Sequence, residues 1–343
     1  MPAKIFTNKD AHLKHLKNKC CAVIGFGSQG HAQALNLKES GINIIVGLYP
    51  KSKSRSVASK LGFQVMDTAE AVKKADIIFL AVPDLKIASV FQTEVEPHLT
   101  EGKTILLGHG FAIHYKTISP KKEINVIMVA PKGPGNLVRR QFIKGEGVPA
   151  LIAIHQDPSK NSKAVALAWA KGIGSTRAGV YETTFREETE TDLFGEQTIL
   201  CGGISALIHA GFETLIEHGY QPEIAYFEVL HELKLTVDLI HESGISGMRS
   251  SISETAKYGD VAVGPKIIDA SVKKRMKQVL HHIQSGKFAQ DWINEDQQGR
   301  KNYHTLLKKG EKHPIERVGK RLRTTIPWIK KNRGQVKNID KSK

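Results

Sequence analysis

The sequence predicts an α/β protein in which a doubly wound, Rossmann-type domain precedes an all-helical domain. Between residue 19 and about residue 155, short apolar runs alternate with helix-like stretches: CCAVIG, INIIVG, ADIIFLAVP, TILLG, NVIMVAP and ALIAI. Continuous β-branched and aliphatic runs of this length are typical of strands that are buried on both faces of a parallel sheet. After about residue 183 these runs stop, and long helical patterns such as PEIAYFEVLHELKLTVDLIHES follow.

These patterns divide the chain into three predicted segments. We expect residues 1–183 to form the Rossmann-like domain, residues 184–328 to form the helical domain, and residues 329–343 to be a disordered basic tail. Hydrophobic residues make up 40% of the 343 residues, which is enough for one large core or two ordinary ones. This composition excludes a peptide hormone, a disulfide-stabilised miniprotein and a disordered chain.

The net charge of +16 raises the hypothesis of a nucleic-acid-binding protein. However, residues 301–343 carry a balance of +11, so the first 300 residues are close to neutral. The chain also has few aromatic residues and no recognisable motif for reading bases. We therefore expect an appended basic segment and no specific nucleic-acid partner.

The cysteines indicate a reducing compartment. Cys20 and Cys21 are neighbours inside an apolar run, so with Cys201 they cannot form a paired disulfide framework. Charges are scattered through the first 19 residues, unlike a secretory signal, and we expect that no window reaches the roughly 18 apolar residues of a membrane span. We predict a cytoplasmic protein without a membrane partner.

A glycine-rich turn follows the first predicted strand directly. The sequence GFGSQG at residues 25–30 leads into a helix, HAQALNLKESG, that we expect to end near Gly41, and a second strand comes next. Three glycines permit a tight turn, a close approach of pyrophosphate and packing of helix against strand, while the helix N-terminus faces the phosphate. This context favours a dinucleotide site over a merely tight turn.

The end of the second strand favours NADPH over NADH. A fold that prefers NAD usually places Asp or Glu there, where it binds the ribose hydroxyls, but this chain has Tyr49. The residues that follow, PKSKSRS at positions 50–56, provide three cations and three hydroxyls without a carboxylate, which suits a 2′-phosphate. The alternative is an ordinary polar surface loop.

Two pairs of acidic residues stand four apart in helical patterns: Asp192 with Glu196, and Glu228 with Glu232. At about 100° per residue, each pair shares a face with apolar side chains, so burial would leave uncompensated charges. Oxygen ligands favour a hard ion, and four carboxylates are enough for two Mg²⁺. The alternative is a set of buried salt bridges to Arg or Lys.

Two more polar side chains follow predicted strands at the edge where doubly wound folds bind their ligands. They are His109 in LLGHGF and Lys132 in VAPKGPG. Each alone could be a residue of the surface or the edge of the core. The glycines and prolines around them let a backbone approach a ligand closely, which favours a role in the site.

Several of these stretches together resemble the ketol-acid reductoisomerases of branched-chain amino-acid synthesis. VIGFGSQGHAQALNLKESG, GHGF, APKGPG, ETETDLFGEQ, AYFEVLHELKL and SGMRSSISETAKYGD occur in that family's order, and the similarity spans residues 1 to about 328. The chain resembles the short form, in which one helical domain follows the dinucleotide domain. The resemblance implies that residues 1–183 bind NADPH and that residues 184–328 bind metal and substrate.

The resemblance also implies roles for individual residues. Asp192 would bridge two Mg²⁺, Glu196 would hold one of them, and Glu228 and Glu232 would complete the shell around metal and substrate. Ser253 would bind the substrate, and the catalytic residues would be His109, Lys132 and Glu232. The implied contacts to the cofactor are Gly25, Phe26, Gly27, Ser28, Gln29, Gly30, Ser52, Ser54, Asp84 and Gly135.

The resemblance further implies a reaction and an assembly. The substrate would be 2-acetolactate or 2-aceto-2-hydroxybutanoate, which are 2-hydroxy-2-alkyl-3-oxo acids; an alkyl migration and a reduction by NADPH would give a 2,3-dihydroxy-3-methyl acid on the route to valine, isoleucine and leucine. The helical domain would be knotted and form a homodimer or a higher homo-oligomer, with carboxylates from both subunits at each site. A simple hydroxy-acid dehydrogenase is the alternative enzyme, but it would not need two metals.

One departure from the family concerns the cofactor. The family usually has Arg after the second strand, in GLR, where this chain has Tyr49. One guanidinium near the adenine and the 2′-phosphate is therefore missing. Lys51, Lys53 or Arg55 are the candidates to compensate.

Overall fold

The computed structural model describes residues 2–326, which fall into two compact units. The first unit ends at Thr189 and the second begins at Glu190, a few residues beyond the predicted boundary at 183/184. The predicted tail at 329–343 lies outside the described residues.

The first unit contains a nine-stranded sheet, and all six strands predicted from apolar runs are present. Three more strands were not predicted, because they have only two or three residues and no continuous apolar run. The strands are β1 (Ile5–Phe6), β2 (Cys20–Ile24), β3 (Asn43–Gly47), β4 (Gln64–Met66), β5 (Ile77–Leu80), β6 (Thr104–Leu107), β7 (Asn125–Pro131), β8 (Ala150–Gln156) and β9 (Val180–Glu182).

Helices connect these strands and then form the remainder of the chain. Those before the second unit are α1 (Lys14–Lys17), α2 (Ser28–Glu39), α3 (Ser54–Lys60), α4 (Thr68–Lys74), α5 (Asp84–Val90), α6 (Phe111–His114), α7 (Gly135–Ile143) and α8 (Ser162–Gly172). Those that follow are α9 (Phe185–Gly195), α10 (Gly202–Glu217), α11 (Pro222–Tyr226), α12 (Glu232–Ser250), α13 (Glu254–Ile267), α14 (Ala270–Gln284), α15 (Lys287–Gln297), α16 (Lys301–Glu311) and α17 (Pro314–Thr325).

The strand order identifies the ligand-binding edge of the sheet. The order is β1-β9-β8-β7-β6-β5-β2-β3-β4, so the chain runs outward from β2 to β4 and then returns to the other side of β2 at β5. Strands β2 to β7 run parallel to one another. In such sheets the crevice between β2 and β5, outside their carboxyl ends, is the usual ligand site. The doubly wound fold is therefore confirmed.

The sheet is covered on both faces, as its aliphatic strands require. Along β2, Cys21 and Val23 belong to one hydrophobic cluster, and Ala22 and Ile24 belong to the other. This alternation places successive side chains on opposite faces of a pleated strand. Burial of both faces explains why the strands read as continuous apolar runs and not as alternating patterns.

The parallel arrangement that the apolar runs predict does not hold at one end of the sheet. Strand β8 runs antiparallel to β7, and the short β1 runs antiparallel to β9. The run ALIAI is as apolar as its neighbours because β8 is also largely buried. The apolar composition of β8 reflects its burial and not its direction, so the sequence does not show whether β8 is parallel or antiparallel to β7.

The second unit is helical throughout its described residues, as predicted. Among its described residues, one hydrophobic cluster has six buried side chains that α10, α11 and α17 supply: Phe212, Ala225, Tyr226, Ile315, Val318 and Leu322. The predicted helical pattern ends at Ser243. The next residue, Gly244, has φ 73° and ψ 175°, values outside the helical region, so it kinks α12 at this point.

Two π-helical turns interrupt the long helices of this unit, at Glu196–Leu200 and at Phe227–His231. The amide of Cys201 donates to the carbonyl of Glu196, five residues earlier, at 3.0 Å. A π turn accommodates an extra residue, so the side chains after it are rotated relative to those before it. The periodicity of about 100° per residue that the sequence predicts for these acid pairs therefore does not continue through the turns. Both turns adjoin the predicted acid pairs, and π turns are frequent at functional sites.

One helical run differs from the expectation about membrane spans. The continuous run Phe185–Glu217 has 33 residues and is long and apolar enough to cross a membrane by length and composition alone. The expectation that no window is apolar enough to span a membrane is therefore wrong by length and composition, because the small residues among the aliphatic ones still leave an 18-residue stretch of high mean hydropathy. Almost none of its most apolar stretch is buried within the chain. A single helix of this kind is weak evidence for a membrane, but it does expose an apolar surface.

We predict that Gly203→Ala destabilises the protein, because its new methyl carbon would lie 1.9 Å from the carbonyl oxygen of Thr198 across the π turn. The expected loss is about 1–3 kcal/mol in the free energy of unfolding, measured by urea denaturation at a fixed protein concentration. Gly195→Ala is the matched control, since its methyl group would meet only Leu200 at an ordinary 3.6 Å. Equal stability of the two variants would contradict a tight π turn.

Candidate active site

A cleft lies where the strand order reverses. Its larger part, about 460 Å³, is bordered by the residues after β2, β3 and β5. A second part, about 300 Å³, extends from the residues after β2 and β5 to those after β6 and includes His109. The two parts share Gly27, Ala81, Val82 and Pro83. The cleft therefore runs along the carboxyl edge of the sheet, where the sequence predicts the dinucleotide.

The glycine-rich turn forms the floor of this cleft, and its conformation requires glycine. Gly25 has φ 97°, and a β-carbon on it would lie 2.7 Å from the carbonyl oxygen of Ala81. Helix α2 then begins at Ser28, with Gly27 at its N-cap and no side chain capping it. The amide groups of this helix end and its dipole therefore face the cleft, as an anion such as pyrophosphate requires.

Most of the predicted cofactor residues line the cleft. The larger part has Gly25, Phe26, Gly27, Ser52 and Ser54 in its wall, and the smaller part has Gly27, Ser28, Gln29 and Asp84. Gly30 lies beneath the turn, where a β-carbon would be 2.5 Å from the carbonyl oxygen of Gly25. Gly135 packs against the turn, since its β-carbon would lie 2.1 Å from the carbonyl oxygen of Ser28. These two glycines shape the turn from outside the cleft.

The loop after β3 holds its arginine in a way that the sequence did not predict. Tyr49 lines the cleft and is exposed. Arg55 donates from Nη1 to the carbonyl of Leu48 at 2.7 Å and to Oδ1 of Asp67 at 2.8 Å. Asp67, which follows β4, therefore places a carboxylate beside a loop that has none of its own. Of the three cations expected to compensate for Tyr49, Arg55 already has an anionic partner.

Glu188, a residue that we did not predict, brings His109 and Lys132 together. Its side chain is 1% exposed. Its carboxylate lies 3.0 Å from Nδ1 of His109 and accepts from Nζ of Lys132 at 3.1 Å and from the amide of Gly110 at 2.9 Å. His109 and Gly110 follow β6, and Lys132 follows β7, so the carboxylate joins the ends of two parallel strands.

The surroundings of Glu188 keep it ionised. Burial raises the pKa of its carboxyl group, but the hydrogen bond from His109, the charges of His109 and Lys132 and the Gly110 amide together outweigh burial, so the pKa lies below its usual value. An ionised carboxylate only accepts hydrogen bonds. Nδ1 of His109 must therefore carry a proton, and in the neutral ring Nε2 is left as an acceptor.

Glu188 could have been suspected from its position in ETETDLFGEQ. It lies four residues before Asp192 on α9, one helical turn away. Its burial, however, results from the ends of β6 and β7, which are distant in the sequence. Gly110 shows how closely these segments pack, because a β-carbon on it would lie 2.7 Å from the carbonyl oxygen of Phe185.

The predicted metal ligands lie in the helical unit and do not form a closed site. Asp192 is half-buried, whereas Glu196, Glu228 and Glu232 are exposed, so the expected burial of both pairs is wrong for the single chain. Within residues 2–326 of one chain, these four carboxylates do not converge into a group of three or more ligands. The hydroxyl of Ser253, the predicted substrate ligand, accepts from the amide of Ala256 and caps α13.

Two family models match the chain in succession. Residues 15–179 match the acetohydroxy acid isomeroreductase, NADPH-binding domain, and residues 185–328 match the ketol-acid reductoisomerase, C-terminal domain. Together they cover nearly all of the described residues.

Individual relatives match over almost their full length. A ketol-acid reductoisomerase (NADP(+)) from Petrotoga mobilis is 56% identical over 324 residues, which are 94% of this chain and 98% of that protein. The structure of an NADH-preferring ketol-acid reductoisomerase from an uncultured archean is 42% identical, with a TM-score of 0.91, and the match covers 94% of this chain and 98% of that one. A semialdehyde dehydrogenase NAD-binding protein from Cupriavidus necator, 17% identical with a TM-score of 0.61 over 78% of this chain and 99% of that one, shares the fold alone.

We predict that Glu188→Gln lowers the free energy of unfolding by about 1–3 kcal/mol at pH 7, because His109 and Lys132 lose a buried anion. A lowered pKa means that the ionised carboxylate stabilises the folded state above its unfolded pKa, and that this contribution is lost as the pH falls through the folded pKa. Urea denaturation between pH 3 and 7 should show the two proteins converging in acid. A constant difference over that range would contradict the charge pairing.

Proposed function

The chain belongs to the ketol-acid reductoisomerases, and we propose that it converts 2-acetolactate or 2-aceto-2-hydroxybutanoate to the 2,3-dihydroxy-3-methyl acid with Mg²⁺ and NADPH. The observation that carries this proposal is the match of both domain models in order, over residues 15–179 and 185–328. The cleft at the switch point and the group around Glu188 provide the local chemistry. The reaction would serve the synthesis of valine, isoleucine and leucine.

The cleft in the first unit fits a dinucleotide. Helix α2 presents its uncapped end to the cleft, which suits pyrophosphate. Ser52 and Ser54 line the same wall as Tyr49, and their hydroxyls could bind a 2′-phosphate together with Lys51 and Lys53, which are exposed. The relative from Petrotoga mobilis is named for NADP(+), which supports NADPH as the preferred cofactor of this chain.

The acid pairs of the helical unit suit Mg²⁺ by their donor atoms. Asp192, Glu196, Glu228 and Glu232 offer carboxylate oxygens, the ligands that a hard divalent ion prefers. We propose that they hold two ions. Bound Mg²⁺ would supply Lewis-acid polarisation of the ketone and of the neighbouring hydroxyl.

The remaining steps belong to side chains of this chain. We assign to Glu232 the removal of the proton from the C2 hydroxyl, after which the alkyl group migrates from C2 to C3, the C3 oxygen gains a proton, and a 2-oxo group remains at C2. Bound NADPH would supply the hydride for C2, and the oxygen already on C2 would take a proton. Lys132, held by Glu188, stabilises negative charge on the substrate, while His109 positions groups near the nicotinamide.

We further propose a homodimer in which each metal site draws carboxylates from both subunits. Two observations support it: the four carboxylates do not converge within residues 2–326 of one chain, and the helical unit exposes large apolar side chains. Ile199, Leu200 and Leu207, in the run that is apolar enough for a membrane, are all about half exposed or more. A second copy of the chain would cover this surface without a membrane, as obligate interfaces require.

We place the enzyme in the cytoplasm. Cys20, Cys21 and Cys201 are free thiols, which suits a reducing compartment. The substrate is a small carboxylic acid, so neither a nucleic-acid partner nor a membrane partner is needed for the reaction.

The basic test follows NADPH oxidation with 2-acetolactate, with and without Mg²⁺. Turnover that needs Mg²⁺ is expected. Folded protein without turnover under the magnesium condition would contradict the proposal. Equal turnover after removal of the metal by a chelator would instead favour a simple hydroxy-acid dehydrogenase, which needs no metal.

We predict that Asp192→Asn and Glu232→Gln each abolish turnover as pure proteins but restore about a quarter of wild-type activity when co-expressed in one cell. In a shared dimer site, half of the dimers would be mixed, and one of their two sites would contain both wild-type carboxylates. Asp238→Asn is the matched control, because Asp238 lies on α12 and pairs with Lys234. If the co-expressed protein is shown to contain mixed dimers of the two variants and is still inactive, the sites are not shared between subunits.

We predict that Asp67→Asn raises the ratio of kcat/KM for NADPH over NADH by about three- to fivefold, because Arg55 loses a partly exposed anionic partner and one carboxylate near the 2′-phosphate disappears. Glu70→Gln is the matched control, since Glu70 pairs with Lys73 on α4. Replacing Ser52 and Ser54 by Asp should reverse the preference. A wild-type enzyme that already prefers NADH, as the archaeal relative does, or an unchanged ratio in the Ser52 and Ser54 variant would show that this loop does not select the 2′-phosphate.

A further inference from the structure

A chain of hydrogen bonds, here called the amide chain, connects the indole of Trp169 to the backbone after β7. Nε1 of Trp169 donates to Oε1 of Gln33 at 2.8 Å, and Nε2 of Gln33 donates to Oε1 of Gln29 at 3.1 Å. Nε2 of Gln29 then donates to the carbonyl of Gly133 at 2.9 Å. Trp169 and Gln33 are fully buried. The amide chain thus starts in the core of the first unit and ends at Gly133, one residue after Lys132.

The donor at the start of the amide chain fixes the direction of every bond in it. An indole N–H can only donate, so Gln33 must present its oxygen to Trp169 and its amino group to Gln29. Gln29 must then present its own amino group to Gly133. Turning either amide would bring two donors or two acceptors together in a buried place, which costs about 1–3 kcal/mol. The side-chain amides of Gln33 and Gln29 therefore each have a single favourable orientation.

The end of the amide chain lies in the loop that carries Lys132. The amide of Lys132 donates to the carbonyl of Pro149, and the amide of Gly133 donates to the carbonyl of Pro131. Gly135 touches Ser28 of the glycine-rich turn so closely that a β-carbon there would lie 2.1 Å from its carbonyl oxygen. Gln29 is the next residue of that turn, so the amide chain joins the cofactor turn to the loop at the position where Lys132 projects.

We propose that Trp169 and Gln33 are positioning residues, which act through Gln29 to place the ammonium of Lys132 beside Glu188. Both lie remote from the cleft, and neither lines it. The inference rests on the proposed function for its catalytic consequence, because Lys132 is assigned there to stabilising charge on the substrate. The placement of the Lys132 side chain is a separate property and can be measured without any turnover.

The kinetic test uses Gln33→Met, which keeps the size of the side chain and removes both of its hydrogen bonds. The expected result is a kcat with 2-acetolactate and NADPH about tenfold lower, since one misplaced charged group costs roughly 1.4 kcal/mol, with the Kd of NADPH changed less than about twofold. Asn36→Leu is the matched control. Asn36 is buried on the same helix, and its amide donates to the carbonyl of Ile173, outside the amide chain. It should lower Tm but leave kcat within about twofold.

The second readout labels lysines with a trace of acetic anhydride and compares Lys132 with the exposed Lys60 by mass spectrometry. Gln33→Met should raise the labelling of Lys132 relative to Lys60 at least about twofold, because its ammonium leaves the carboxylate of Glu188. Asn36→Leu should not change this ratio. If Gln33→Met does not fold, Trp169→Phe replaces it, since that change removes the initial donor and retains an aromatic ring.

The two readouts separate the two proposals. An unchanged labelling ratio in a folded Gln33→Met or Trp169→Phe variant overturns the positioning role, and so does an unchanged kcat. A raised labelling ratio in an enzyme whose wild type does not act on 2-acetolactate overturns the proposed function and leaves the placement of Lys132 by the amide chain intact.

Discussion

The carboxylate of Glu188 is the charge on which the arrangement of the candidate active site depends. An ionised carboxylate with 1% exposure is unfavourable unless donors surround it. A backbone amide, an imidazole and an ammonium supply those donors, and they come from the ends of two neighbouring strands. Because the carboxylate needs all three, the segments after β6 and β7 cannot move independently. Local electrostatics thus adds to the backbone hydrogen bonds and close packing that hold these loops.

Much of the fold could be predicted from the sequence, because a strand that is buried on both faces of a sheet has a continuous run of apolar residues. The strands Ile77–Leu80 and Thr104–Leu107, for example, lie at their predicted apolar runs. What burial does not encode was not predictable: strand direction at Ala150–Gln156, strands of two or three residues, and the two π turns. Each of these is decided by pairing or by a hydrogen bond over one additional residue, not by hydrophobicity.

The candidate site likewise combines features that the sequence predicted with features that it did not. The glycine-rich turn was predictable because its spacing and its position between strand and helix are local features. Glu188 and the pairing of Arg55 with Asp67 were not, because their partners come from segments far apart in the sequence. The sequence identified the four carboxylates as candidate metal ligands, but it did not predict how they are placed in space. Their convergence is a property that one chain does not have within its described residues.

The small core of the helical unit has a consequence for how the protein folds. Up to Ile326, where the described part of this unit ends, its hydrophobic cluster has six buried side chains, while Leu235, Ile245 and Tyr258 are each at least half exposed. So little buried surface gives limited stability to an isolated unit. If a second copy supplies the missing burial, as proposed, the last folding step is bimolecular and its rate depends on protein concentration. The melting temperature would then also rise with concentration, and dilution alone would favour unfolding.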